Sequence, residues 1–267
     1  MCLPLYLRLQ EEDDYVKIPF LFYFESVMSQ PSFESIVHSR RSVRKYDASA
    51  EFNHSDVADA LELTTLSPNS SNMQMWEFHR VISSEKREQL AEFCMGQNAA
   101  KTANELVVFV ATTHNWQERA KRNAETVRQA FENRDDAAAK RALKYYEKLI
   151  PMVYNNDAFG LRGVVRKLYS WWLGRNKPMV REVSKSDIRV CLHKSVSLAA
   201  MTFMYAMREK GYDTCPMEGF DSKRVKQLLG LRGSDQITMI ISCGVRSEEG
   251  VYGERHRVAN DSVIKSH

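Results

Sequence analysis

Between residues 187 and 210 the sequence sets Val190, Leu192, Val196, Leu198, Met201, Phe203, Met204 and Tyr205 around most of a helical circumference. A surface helix carries one apolar stripe, whereas a helix that is apolar all round must be covered on all sides. A chain of 267 residues has two places for such a helix: the centre of its own core, or an obligate interface with a second copy. Gly211 stands where a left-handed residue ends a helix. No apolar run reads as long enough for a transmembrane helix.

The remaining segments fall around this one. Residues 32–39 and 54–66 read as helices, the second with Val57, Leu61 and either Thr64 or Thr65 on one face. Ser67-Pro68-Asn69-Ser70-Ser71-Asn72 is a loop, because each residue type there favours turn geometry. Strands are expected at 77–82 and 106–112, with a helix at 85–95 between them; the second strand is a β-branched, apolar and therefore buried run. The longest helical pattern spans 115–149. Its stripe is Trp116, Ala120, Ala124, Val127 and Phe131, and Glu118/Arg122 and Asp136/Lys140 are pairs on its wet side. An extended piece at 212–216, a helix at 221–229 capped by Asp221, a strand at 237–243 and a polar, basic tail complete the chain.

Charge and cysteine usage narrow the function. A net charge of +4 is far below the excess that a nucleic-acid-binding domain concentrates on one face, so no nucleic-acid partner is expected. It suits an anionic small molecule wherever the basic residues converge. Five cysteines without a C-x-x-C spacing argue against a disulfide framework or a zinc site, and a reducing cytoplasm is the default. Residues 1–27 place the acids Glu11, Glu12, Asp13 and Asp14 before the apolar run 18–24, the reverse of a secretory signal. They are expected to be a dispensable extension before a domain spanning 28–267.

Residues 151–185 are less regular. Tyr169-Ser170-Trp171-Trp172-Leu173-Gly174 is an aromatic cluster among basic residues. Plain packing is the commonest fate of such rings; lining a pocket, covering a dimer partner and touching a membrane surface are the other readings.

The chain has no G-x-G-x-x-G fingerprint, no G-x-x-x-x-G-K-[ST] loop and no G-x-S-x-G elbow. It has three separated polar motifs instead. Arg40, Arg41, Ser42 and Arg44 fall within five positions, and an extended backbone turns 40, 42 and 44 to one side as an oxyanion grip. Ser67-Pro68-Asn69-Ser70-Ser71-Asn72-Met73-Gln74-Met75-Trp76 packs small hydrogen-bonding groups beside an aromatic ring. Pro216-Met217-Glu218-Gly219-Phe220-Asp221 places a glycine after a carboxylate, just ahead of a helix start.

In this order, and followed by Arg255-His256-Arg257, the motifs resemble those of the FMN-dependent nitroreductase family from about Phe33 to Arg257. The resemblance thins over a variable helical insertion at about 115–185. It implies an α+β fold, with a mixed, mostly antiparallel sheet flanked by helices, working as a homodimer whose centre holds the 187–210 helix. It implies that Arg40 and Ser42 lie on the phosphate side of FMN, that Arg41 beside them also belongs to the cofactor site, and that Arg255 and Arg257 close on the same phosphate. Arg44 would lie near the flavin pyrimidine; Asn69, Ser70 and Asn72 would reach the flavin from the partner subunit; Glu218 and Gly219 would approach its N5; Gln97 or Asn98 would add a contact. Met75 stands where the family usually has Pro, and Asn69 where Ser is usual.

The implied activity moves reducing equivalents from NADH or NADPH through FMN to a small planar oxidising substrate, such as a nitroaromatic or quinone, in ping-pong order. No catalytic acid, base or metal is required. Reductive dehalogenation, ene reduction and flavin breakdown are the alternatives on the same fold, and residues from roughly 150 to 180 are expected to wall the flavin's open face. A non-catalytic helical interaction protein is the alternative from another class.

Overall fold

The protein is described from a computed structural model, in which residues 31–131, 137–155 and 160–267 are described. The expected extension 1–27 and Asp136 of the expected Asp136/Lys140 pair lie outside them. In chain order the elements begin with α1 (Phe33–Ser39), α2 (His54–Thr65), β1 (Trp76–Val81), α3 (Ser84–Phe93), α4 (Asn98–Lys101) and β2 (Glu105–Ala111). There follow α5 (Trp116–Ala130), α6 (Ala137–Lys144), a π-helical turn at Tyr145–Leu149, α7 (Ile150–Tyr154), α8 (Leu161–Leu173) and α9 (Lys185–Glu209). The last are β3 (Asp213–Met217), α10 (Ser222–Leu229), β4 (Gln236–Gly244) and α11 (Asn260–Val263).

The strands form one sheet in the order β1-β2-β4-β3, every neighbouring pair antiparallel. A single parallel bridge joins Ser42 to Thr214 on the β3 edge. The sheet is covered on both faces, which is why β2 is buried along its whole length. Val107, Phe109 and Ala111 turn one way and meet Val196, Ala199, Phe203 and Met207 of α9. Leu106, Val108 and Val110 turn the other way and meet Leu90 of α3 and Val225 of α10. Burying a side chain the size of Phe203 contributes about 1.5–3 kcal/mol, so these two layers hold the domain together.

The long helix starts on a capping box, in which Ser184 accepts from the Asp187 N–H and Asp187 accepts from the Ser184 N–H. Its end is closed by Tyr212 N–H donating to the Met207 carbonyl around Gly211, whose φ is +89°. By length and composition α9 is long and apolar enough to cross a membrane, contrary to the expectation from the sequence. Half of its most apolar stretch is nevertheless buried inside the protein, where it is the central core helix. In the single chain α9 is not covered on all sides. Val190 and Leu198 are 47% and 50% exposed.

Of the two threonines expected on the inner face of α2, Thr64 is the buried one, and its hydroxyl donates to the Ala60 carbonyl at 2.7 Å. The continuous helix expected over 115–149 is interrupted. α5 ends at Ala130, and the chain then passes through α6 and the π-helical turn. At the start of β2 the fully buried Glu105 carboxylate accepts from Arg80 Nε at 2.6 Å and Nη2 at 3.0 Å, and pairs with His54 Nδ1 at 2.7 Å.

Candidate active site

The chain leaves α1 at Arg40, whose backbone is extended, and runs beside the edge strand. Ser42 bridges Thr214, and Val43 N–H donates to the Thr214 carbonyl at 3.1 Å. Val43 and Tyr46 are buried in the core, and Arg44 and Lys45 between them are exposed, so the segment departs from strict alternation. The C-terminal tail then folds over the same segment, with Arg44 N–H donating to the Gly250 carbonyl at 2.7 Å and Tyr46 bridging Arg246.

Those backbone contacts gather Arg40, Arg41, Ser42, Arg44, Arg255 and Arg257 around one cleft of about 210 Å³. Tyr252, Glu254 and His256 also line it and were not anticipated from the sequence. Each arginine is held differently. Arg41 Nη2 donates to the Gly253 carbonyl at 2.8 Å, and the Arg44 guanidinium lies 5.5 Å from the centre of the Tyr252 ring. Arg255 is fastened to the backbone that ends α1, donating to the carbonyls of Val37, His38 and Arg40. Among the described residues, no carboxylate forms an ion pair with any of these five arginines. Arg40 carries the consequence: burial foremost, and the charge of Arg255 next, lower its pKa. A dianion entering the cleft would relieve that crowding, so the residues present fit a phosphate monoester.

β3 leads away from the cleft. From Thr214 to Glu218 the chain advances four residues, about 13 Å. Glu218 is exposed, and the Gly219 carbonyl accepts from Gln97 Nε2 at 2.9 Å. The same amide donates to the Cys94 carbonyl at 3.0 Å, so Gln97 ties the 218–219 turn to the end of α3. Asp221 caps α10 as expected, its carboxylate accepting from Lys223 N–H at 3.0 Å and Arg224 N–H at 3.2 Å.

The loop with Asn69, Ser70 and Asn72 is not part of this cleft in the single chain. It packs against α9 near Ser195, whose hydroxyl accepts from Ser70 N–H at 3.1 Å. Tyr205, whose electrostatic influence reaches Arg40, stands ten residues further along α9, roughly 15 Å away. The loop is strained, with Ser71, Asn72 and Gln74 at φ of 56°, 49° and 49°. Neighbours hold it there. Asn69 Oδ1 accepts from Gln74 N–H at 2.7 Å, Asn123 Nδ2 donates to the Asn72 carbonyl at 2.9 Å, and the Tyr146 hydroxyl donates to the Ser71 carbonyl at 3.1 Å. The departure from Ser to Asn at 69 thus has a structural reason, since the amide reaches across the loop. Asn123 and Tyr146 belong to the variable segment, where no residue pattern marks this duty.

Plain packing of the aromatic cluster is not observed, since Trp171 and Trp172 are both 60% exposed. Their helix α8 meets α9 at its first residue: a Cβ at Gly163 would lie 3.5 Å from Lys185 N. Lys185 and Tyr205 are twenty residues apart, roughly 30 Å of helix, so α8 is far from the arginine cleft of its own chain.

Residues 37–245 match the Nitroreductase family. The chain belongs to that family. MhqN of Bacillus subtilis, whose name places it among NAD(P)H nitroreductases, is 24% identical over 218 residues, covering 81% of this chain and 90% of its own. The nitroreductase YdfN of the same organism superposes with a TM-score of 0.67 at 19% identity, covering 88% of this chain and 98% of its own. A nitroreductase from Exiguobacterium sibiricum, solved in complex with FMN, gives a TM-score of 0.60 at 22% identity, covering 88% and 98%. The nitroreductase α+β fold expected from the sequence is therefore the fold of this chain.

Proposed function

We propose that this nitroreductase-family chain is an FMN-dependent oxidoreductase that takes electrons from NADH or NADPH and reduces a small planar acceptor such as a nitroaromatic or quinone. The observation that carries the reading is the convergence of Arg40, Arg41, Ser42, Arg44, Arg255 and Arg257 on one cleft, with no opposing ion pair among the described residues. FMN, when bound, supplies the redox chemistry, and the protein supplies binding, orientation and electrostatics. Arg40 and Arg257 hold the phosphate together with Ser42, while Arg255 fixes the backbone that presents them. The roughly 13 Å of chain from Thr214 in β3 to Glu218 just past its end suits a ribityl chain leading to the flavin ring, with Gly219 close to the ring because no side chain intervenes. Arg44 shares the cleft, so its charge serves the phosphate and the ribityl side as well as the pyrimidine.

The Asn69–Asn72 loop completes the site from a second copy. Its distance from the cleft along α9 supports this, as does the open face of α9 with Val190 and Leu198 at its surface. Donor and acceptor then use the same exposed ring face in turn, which is the ping-pong order. Purified protein reconstituted with FMN should lose its flavin absorbance on anaerobic addition of NADH or NADPH and regain it with a quinone. Protein that takes up no FMN, or FMN that neither nucleotide bleaches, would overturn the reading.

A further inference from the structure

Helix α8 is inside out. Its small and polar positions, Gly163 and Ser170, are the buried ones. Leu161, Val165, Leu168 and Trp172 project from the opposite side, flanked by Val164, Tyr169 and Trp171, and all seven are more than half exposed. At roughly 100° per residue these seven fill one continuous arc centred opposite Gly163 and Ser170. A helix of a globular domain normally buries that arc.

The charges around the arc are of one sign. From 161 to 181 the sequence holds Arg162, Arg166, Lys167, Arg175, Lys177 and Arg181, and no carboxylate. Arg166 and Arg181 are tied to main chain, donating to the carbonyls of Val183 at 2.9 Å and Gly174 at 2.6 Å. Lys167, Arg175 and Lys177 are exposed, and the Arg175 guanidinium lies 5.6 Å from the Trp171 ring centre. Beside the arc, Val164 and Lys167 share a cavity of about 490 Å³ with Lys185 and Arg189 of α9. An apolar arc, a tryptophan pair and a rim of cations are together what the interface of an anionic bilayer accepts: the rings sit at headgroup depth and the cations meet phosphates.

We propose that α8 is a membrane-docking helix that seats this enzyme on bilayers rich in anionic phospholipid, with the Lys167–Lys185–Arg189 cavity facing the lipid phosphates. A second copy fits the arc less well, because a two-fold contact centred on α8 would set these cations against themselves. The open face of α9 is available for self-association in any case.

The test uses the full chain loaded with FMN and floated with vesicles. One set is phosphatidylcholine alone, and the other is an equimolar mixture with phosphatidylglycerol. The protein should float with the mixture, with its tryptophan emission shifted to the blue, and stay behind with phosphatidylcholine alone. Trp171→Ser/Trp172→Ser should cut flotation by about tenfold or more, and Lys167→Glu/Lys177→Glu should abolish the preference for the mixture. Both variants should keep their flavin, which separates lost docking from lost folding. Absent flotation, equal flotation with both vesicles, or flotation unaffected by either double variant would overturn the proposal. So would serine variants that float normally while a dimer falls to a monomer, because a second copy then covers the arc. Normal flotation with a raised KM for the acceptor would overturn it too, because the rings then wall a flavin pocket.

Discussion

The guanidinium of Arg255 donates to the backbone carbonyl of Arg40, so two residues far apart in sequence approach the same cleft in different capacities. One is fixed by main chain, and the other is a crowded, half-buried cation with no carboxylate partner among the described residues. Arg40→Ala and Arg257→Ala should each weaken FMN by about tenfold or more, a loss of about 1.4 kcal/mol or more, with little change in melting temperature. Riboflavin, which lacks the phosphate, should bind the parent weakly and be nearly insensitive to both. Isothermal titration with the two flavins is the measurement; equal losses for both would remove the phosphate from the cleft.

Arg255→Ala should behave differently. It frees the carbonyls of Val37, His38 and Arg40 at the end of α1. Charge-assisted bonds of this kind contribute about 1.5–3 kcal/mol each, so a drop in thermal stability should accompany the loss of FMN. A variant that loses FMN at unchanged melting temperature would mean that Arg255 acts on the ligand alone.

Leu198→Glu places a carboxylate on the open face of α9, where Leu198 is half exposed in one chain. With two copies joined there, the substitution should shift sedimentation from dimer to monomer at micromolar concentration. FMN affinity should fall by about tenfold or more, because the Asn69–Asn72 loop leaves with the partner. A Leu198→Glu dimer with parental flavin affinity would place the interface elsewhere.

Removing Arg80 should be costly although it is remote from the cleft. Arg80→Met leaves the Glu105 carboxylate buried, with His54 alone to oppose it. Breaking a buried pair from one side costs about 3–5 kcal/mol, which should appear as a lower urea midpoint with flavin affinity per folded molecule unchanged. Glu105→Leu/Arg80→Met, which removes both charges, should recover much of the loss.

Asn123→Ala tests the strained loop. It removes the part-buried bond to the Asn72 carbonyl, and losing one such hydrogen bond costs about 0.5–1.5 kcal/mol. Relaxation of Asn72 from its left-handed backbone should raise the rate of FMN dissociation severalfold, as read by stopped-flow fluorescence. An unchanged dissociation rate would show that the loop keeps its path without α5.

The strands were legible because their constraint is local and severe. A run such as Leu106–Ala111, buried on both faces, has no other way to satisfy its apolar side chains. The arginine positions were legible as types but not as roles: nothing in Arg255-His256-Arg257 distinguishes a guanidinium that grips a ligand from one that ties down carbonyls, because main-chain acceptors leave no mark on the sequence. The same holds for Asn123 and Tyr146, whose partners are the carbonyls of Asn72 and Ser71. The orientation of α8 was hidden for a different reason. Periodicity identifies an apolar arc but not the side on which the rest of the chain lies, and here Gly163 and Ser170 win the contact with α9 and its leading segment.

The burial of β2 on both faces has a kinetic consequence. Its amides are bonded to β1 on one side and β4 on the other, with helices above and below. They can exchange with deuterium only when the whole domain opens. α8 is held through Gly163, Ser170 and the Arg166 bonds to the Met152 and Val183 carbonyls, none of them to a strand, so its amides should exchange orders of magnitude faster. The arm can therefore change its surroundings repeatedly during the lifetime of one folded core.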